Sequence, residues 1–199
     1  MKIIKLASIA IALLTAHFAQ ANDDGGLFIE PAVTYEMGSG EINFPAPLGT
    51  TDGDVFGFGL GARLGFHLNE AFFLGLDARY SMPKSEFGDW KENAKAYNWG
   101  PVIGMQMPDY GLRIWGSYIA GGELDPDGSS FDAKFKDGKG FRVGAGLRFQ
   151  VVSVNVEYQE VKYDTAQVQN AGPFGPADFG SVDLENKTWL ASVSFPIQL

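Results

Sequence analysis

The chain has 199 residues, no cysteine, and 24 acidic against 15 basic side chains. The missing cysteines exclude a disulfide framework, a thiolate metal site and a cysteine nucleophile. The acidic balance argues against nucleic acid as a partner, because phosphate binding needs a basic footprint.

The N-terminus has its own pattern. Lys2 and Lys5 give a positive start, Ile3 to Phe18 is mostly apolar, and Ala19-Gln20-Ala21 has the small-x-small form of a cleavage site. Residues 1–21 are therefore expected to be a secretory signal peptide, leaving residues 22–199 as one domain. Removing Lys2 and Lys5 leaves 13 basic against 24 acidic residues, a net charge of −11. No later stretch approaches the ~20 apolar residues of a membrane-spanning helix.

Eight segments then alternate with a period of two, the mark of strands. The first is Leu27 to Met37. In the second, Val55 to Leu68, the residues Phe56, Phe58, Leu60, Leu64, Phe66 and Leu68 share one face. Its other face carries Gly57, Gly59, Gly61, Arg63, Gly65 and His67. Ala71 to Ser81 follows, with Phe72, Leu74 and Leu76 opposite Asp77 and Arg79. Then come Tyr97 to Met107, Tyr110 to Gly122, Phe141 to Gln150, Val152 to Tyr158 and Thr188 to Leu199. Tight connections at Asn69-Glu70, Pro108-Asp109 and near Gln150 alternate with long ones. That rhythm predicts an all-β, eight-stranded antiparallel up-and-down barrel with unlike ends.

Period alone does not say which face points outward, and two exported barrels compete. A lipocalin-like barrel would turn the apolar face inward, whereas an outer-membrane barrel turns it to lipid. The glycine-rich face decides for the membrane barrel. A narrow interior needs small residues beside large ones, whereas a water-facing exterior gains nothing from strand glycine. On this reading Phe56, Phe58, Leu60, Leu64, Phe66, Phe72, Leu74 and Leu76 form a lipid-facing band. Tyr35, Tyr80, Tyr97, Tyr118, Tyr158 and Trp189 form an aromatic belt toward the long loops, and Phe66, Phe72, Tyr110 and Phe149 form one toward the short turns. The interior polar set is Glu30, Glu36, Arg63, His67, Asp77, Arg79, Arg113, Arg142, Arg148 and Glu157.

With its leader, eight strands, F-G-F-G-L-G-A-R-L-G-F segment and terminal W-L-A-S-V-S-F-P-I-Q-L strand, the chain resembles the small outer-membrane barrels: the OmpA barrel domain, OmpX and the opacity-type proteins. The resemblance implies a bacterial outer-membrane location in contact with membrane lipid and lipopolysaccharide. It also implies recognition of the last strand by the barrel-assembly machinery. That strand ends in Leu199 where the family commonly ends in Phe.

Chemistry is sparse. The arginines and carboxylates are expected to satisfy a filled interior, because eight strands enclose just enough room for side chains; a polar gate or narrow conduction path is the competing account. Related barrels that act on lipid use a histidine at the outer-leaflet end. The single mature histidine, His67, lies beside the short turn at Asn69-Glu70 and is read as a plug, so no enzyme, cofactor or metal is expected. Fifteen acids from Glu41 to Glu185 fall in the expected long loops, answered there by Lys84, Lys91, Lys134 and Lys136. Asp125 to Asp132 lacks the ligand pattern of a calcium loop. Pro31, Pro101 and Pro196 interrupt strands. Pro31 and Pro196 mark a candidate seam, either a bulge or a lateral exit for a small apolar molecule as in OmpW-like barrels. The expected role is that of a monomeric structural or surface-interaction barrel, with any loop ligand left open and a narrow channel or lateral transporter as the alternative.

Overall fold

The computed structural model describes residues 25–43, 49–87, 90–126, 132–170, 177–178 and 183–199, and the leader expected over residues 1–21 lies outside them. The strands are β1 (Gly26–Asn43), β2 (Thr50–His67), β3 (Phe72–Phe87), β4 (Trp90–Met107), β5 (Leu112–Ile119), β6 (Gly121–Pro126), β7 (Asp132–Lys136), β8 (Lys139–Phe149), β9 (Val152–Tyr163), β10 (Thr165–Asn170), β11 (Ala177–Asp178), β12 (Asp183–Ser194) and β13 (Ile197–Gln198). They build eight staves: β1, β2, β3, β4, β5 with β6, β7 with β8, β9 with β10, and β12 with β13. All pairings are antiparallel, and β1 against β12 and β13 closes the barrel. The helical structure described is a single 3-10 turn, Pro108–Tyr110. Among the described residues no helix is long and apolar enough to cross a membrane, which says nothing about crossing by strands.

The register fixes the barrel's shape. Following paired residues from Phe28 to Gly65, Gly75, Val102, Ser117, Arg142, Gln159 and Thr188 returns to β1 at Gly38, ten residues beyond the start. A stagger of that size over eight staves tilts the strands by about 40°, as closure requires. Such a barrel is narrow, and its glycines clear space for large neighbours. A Cβ on Gly104 would lie 2.2 Å from the Phe73 ring, and one on Gly144 would lie 2.5 Å from Trp115.

The strands run well past the ends expected from sequence. β1, β2 and β4 each have 18 residues, against the ~9–11 that cross a bilayer. Much of what reads as long loop is therefore strand: Glu41, Asp52, Asp54, Glu92, Glu123, Asp125 and Glu185 all sit on strands. Asp89, Asp127 and most of the Asp125 to Asp132 stretch lie outside the described residues. The short turns are as expected. The Asn69 side chain accepts from the Ala71 and Phe72 amides at 2.9 and 2.8 Å, and Gly111 takes the left-handed φ of +66°.

Three neighbouring staves break at one level: at Ala120, at Asp137–Gly138 and at Asp164. Each break shifts the inward parity by one residue. Arg113, Trp115, Ser117 and Ile119 point inward below Ala120, and Leu124 and Pro126 above it. Asp137 carries a φ of 58°, tolerable for Asp in the left-handed region, and Thr165 Oγ1 donates to its Oδ2 at 3.0 Å. These are bulges that bend the staves together.

Candidate functional site: an interior closed in three layers

At the short-turn end lies an aromatic plug of Phe28, Phe73, Trp115 and Val102. His67, buried, packs 4.6 Å from the Phe28 ring and 5.9 Å from Phe73, while its Nδ1 pairs with Gln198 Oε1 at 3.1 Å. Among the described residues Nε2 has no hydrogen-bond partner. The guanidinium of Arg63 lies 4.7 Å over Trp115, and that of Arg113 lies 5.4 Å from Phe73. Cation–π contact thus joins the plug to the layer above it.

That middle layer is a lattice of ions. Arg113 grips Glu30 with both Nη atoms, at 2.8 and 2.7 Å, and Arg63 bridges Glu30 at 3.4 Å and Asp77 at 3.0 Å. Asp77 also accepts from Arg79 Nε at 2.8 Å and Arg142 Nη1 at 2.9 Å. Arg79 continues to Glu157 Oε2 at 2.9 Å. Arg142 Nη2 donates to Asn98 Oδ1 at 2.6 Å and to Gln159 Oε1. Ser194 and Ser192 donate to Glu30 and Glu157 at 2.6 and 3.2 Å. Every stave contributes a member, so the lattice spans the lumen from wall to wall. Arg113, Arg142 and Glu157 are each 1% exposed. Charges so far from water persist only when paired and hydrogen-bonded, which these are. A void among Glu30, Arg63, Arg79, Asn155 and Glu157 measures about 10 Å³, room for about one water.

Three members of the sequence-derived polar set stand outside the lattice: His67 in the plug below it, Arg148 and Glu36. Arg148 sits half-buried at the short-turn rim, its Nε donating to the Gln150 carbonyl at 3.2 Å. Alternation places it inward, but it is the last inward residue of β8, where water is at hand. Glu36 is buried above the lattice, bonded by Ser81, with Oε1 unpartnered. The ion-paired core is thus four arginines on three carboxylates, with the Glu36 carboxyl just above it.

Above the lattice the lumen turns apolar. Ile42, Ala94, Ala96, Ile119, Leu124, Phe135, Val161, Tyr163, Ala166 and Leu184 form one buried cluster. Sequence reasoning missed nearly all of it, because these residues lie beyond the expected strand ends. The continued alternation Val161, Tyr163 against Glu160, Lys162 was the available signal.

Outside, the band residues Phe58, Leu60, Leu64, Phe66, Phe72, Leu74 and Leu76 are exposed and Phe56 is half-buried. Tyr80, Tyr97, Tyr118 and Trp189 are exposed, while Tyr35 and Tyr158 are half-buried, Tyr35 against Phe58 at 4.9 Å and Tyr158 against Trp189 at 5.2 Å. An exterior of Leu, Phe and Val with no charge between the two belts needs lipid as its solvent. A model of the outer membrane protein beta-barrel domain matches residues 6–195. The chain belongs to that family. As a family member it is an outer-membrane barrel, with short turns on the periplasmic side and long connections outside.

Solved structures of similar fold include Neisserial surface protein A, at 12% identity with a TM-score of 0.50, covering 87% of this chain and 99% of that one. OprG from Pseudomonas aeruginosa has 11% identity and a TM-score of 0.51, covering 87% and 97%. AlkL, solved in lipid bilayers, has 12% identity and a TM-score of 0.52, covering 91% and 94%. At such identities the likeness is one of fold. No curated protein matches the sequence.

The prolines that marked a candidate seam lie in continuous pairing. Ala32↔Ser194 and Phe28↔Gln198 keep one register, the Phe195 amide donates to the Pro31 carbonyl at 2.9 Å, and the Leu199 amide to Leu27 at 2.8 Å. Pro196 lies beyond Ser153↔Ser194, the last pair between β12 and β9, so its missing donor has no partner to lose. Pro101 falls where β4 passes from β5 to β6, at the Ala120 bulge. Among the described residues no group of three or more His, Asp or Glu side chains is disposed to hold a metal.

Proposed function

We propose that the protein is a closed, non-conducting barrel of the outer membrane whose role is structural or surface-interacting, exercised through the end that stands above the lipid. The observation that carries this reading is the ion-pair lattice. It draws members from all eight staves, and Asp77 alone holds three arginines. Passage of a hydrated ion would require separating buried pairs that have no water to turn to. The unbroken β1–β12–β13 pairing supports the same reading against lateral passage. The role is non-enzymatic: His67 is wedged between rings at the periplasmic end, with no nucleophile beside it. Its partners on this reading are membrane lipid, lipopolysaccharide and, during biogenesis, the assembly machinery that takes up the last strand.

Planar-bilayer recording of the refolded, monomeric protein tests the proposal. A silent bilayer, or rare and small openings, is the expected result. Stable single-channel steps of sizeable conductance would overturn it.

A further inference from the structure

The charge inside the barrel does not close. Among the described residues five arginines and four carboxylates point inward, so even with Glu36 ionised the sum is 5 − 4 = +1. The surplus sits at the periplasmic mouth, on Arg148. Among the described residues this guanidinium makes no ion pair, and its hydrogen bond is the one from Nε to the Gln150 carbonyl. Gln150 takes a left-handed φ of 49° in the turn between β8 and β9, a conformation uncommon outside glycine. The tether holds the guanidinium at the mouth and leaves both Nη groups without a partner among the described residues.

The surroundings deepen the imbalance. Arg113 stands opposite Gly146 on β8, one inward position from Arg148, and the two cations lie within electrostatic reach of each other. Glu30 is in reach as well, but both Nη atoms of Arg113 already hold it. Arg113 Nε and Trp115 Nε1 are buried donors without an acceptor among the described residues. An unmade buried hydrogen bond leaves the full desolvation cost standing. The periplasmic end therefore holds positive charge and donors in excess. What it lacks is an anion, which only accepts.

The same groups select the anion. One surplus charge matches a monoanion, whereas a dianion would also meet Glu30 and the unpartnered Oε1 of Gln106, which stands opposite Arg113 on β4. The Nη edge of an arginine fits the two oxygens of a carboxylate in bidentate fashion. Plug and lattice fill the lumen above, so the ligand comes from the periplasm. We propose that Arg148 is the docking point for a carboxylate presented from the periplasm, either a small free acid or the carboxy terminus of a peptide. Docking there requires the short turns to face the periplasm and is independent of whether the lumen conducts.

The test is a titration of the refolded, isotope-labelled protein in maltoside micelles, read by NMR at the Arg148 Nε–H and Trp115 indole N–H signals. Acetate and N-acetyl-dialanine are the carboxylate probes. The amide of that dipeptide, and chloride at matched ionic strength, are the comparisons. Saturable shifts are expected with the carboxylates and not with the amide or chloride. Tighter binding of the peptide assigns the source to a peptide terminus, and equal binding assigns it to a free acid. In R148Q, read at the Trp115 signal, affinity should fall about tenfold or more, with K139Q at the far end unchanged. R148K keeps the charge without the fork and should lose about threefold; it decides the matter if heat-modifiable gel migration shows R148Q unfolded. Undiminished saturable binding in folded R148Q, or wild-type affinity in R148K, would overturn the proposal. So would equal shifts from the amide or from chloride.

Discussion

Below the upper aromatic belt, β9 turns Val154, Val156 and Tyr158 outward and Ser153, Asn155, Glu157 and Gln159 inward. Above it the same strand turns Glu160 and Lys162 outward and Val161 and Tyr163 inward. β12 does likewise, with Val193, Ala191 and Trp189 outside in the lower part and Lys187 and Glu185 outside in the upper. The period of two never changes; the polarity carried on it reverses. The barrel therefore has two regions with opposite hydrophobic logic on one set of staves. In the lipid-embedded region the polar groups must satisfy each other inside. In the region above it the exterior meets water, and the interior can close on ordinary apolar packing. The lower half is held together by paired charge and the upper half by a core of the kind a soluble protein has.

The sharpest way to break that contrast is to remove the hub of the lower half. Asp77→Asn leaves Arg63, Arg79 and Arg142 without a shared counter-charge in a region closed to water. Breaking a buried ion network by deleting one partner should cost about 5 kcal/mol here, the upper end of its usual range. Urea unfolding of the refolded barrel followed by gel mobility measures it, and a cost near 1 kcal/mol would mean that the lattice is far more solvated than its burial indicates.

The matching cut in the upper half is Phe135→Ala, deleting the largest apolar side chain of the loop-end cluster. Cavity creation and lost burial should cost about 4 kcal/mol. Amide exchange should locate the loosening in β6, β7 and β10 and leave β1 to β3 protected. Exchange rising uniformly around the barrel would show that the two regions are not separable.

A third substitution asks the question from outside. Leu76→Lys places a cation midway between the two belts on the lipid face and should destabilise by about 3 kcal/mol. Lys162→Leu, the reverse exchange on the water-facing part, should leave folding stability within about 0.5 kcal/mol. Similar costs for the two would move the membrane boundary away from the belt.

The same reversal explains what the sequence disclosed and what it hid. Glycine opposite phenylalanine along Val55 to Leu68 announced a narrow barrel with a greasy exterior, and the alternation placed Glu30, Arg63, Asp77, Arg113 and Glu157 on one inner face. Strand ends were misjudged because the expected marker of a strand was apolar-out, and that marker disappears at Glu160, Lys162 and Lys187 where lipid gives way to water. The apolar cap was hidden for that reason. Within the polar set, period two gives the face but not the depth. Arg148 and Arg142 share a face of β8, yet only Arg142 lies deep enough to need Asp77. The amide partners Asn98 and Gln159 were also missed, since nothing local distinguishes them from surface polar residues.

The smallest effect is expected from the ions of the upper exterior. Glu185 sits between Lys187 and Lys162 above the belt, and the hydrogen bond from Lys187 is the main cause holding its carboxyl below the ordinary glutamate range. A carboxylate whose folded pKa is depressed contributes stability that is fully present above the unfolded value and is lost as pH falls through the folded one. Glu185→Gln should therefore cost less than about 1 kcal/mol at neutral pH, the usual worth of a surface pair, and nothing once the solution is acid enough to protonate the wild-type group. Unfolding both proteins at pH ~7 and at pH ~2 reads the difference directly. Asp77→Asn, whose cost comes from stranded arginines with no water to turn to, should still be several kcal/mol at neutral pH in high salt, where the Glu185 pair is screened away. If salt erases both penalties alike, the lattice is wet and the two halves obey one rule.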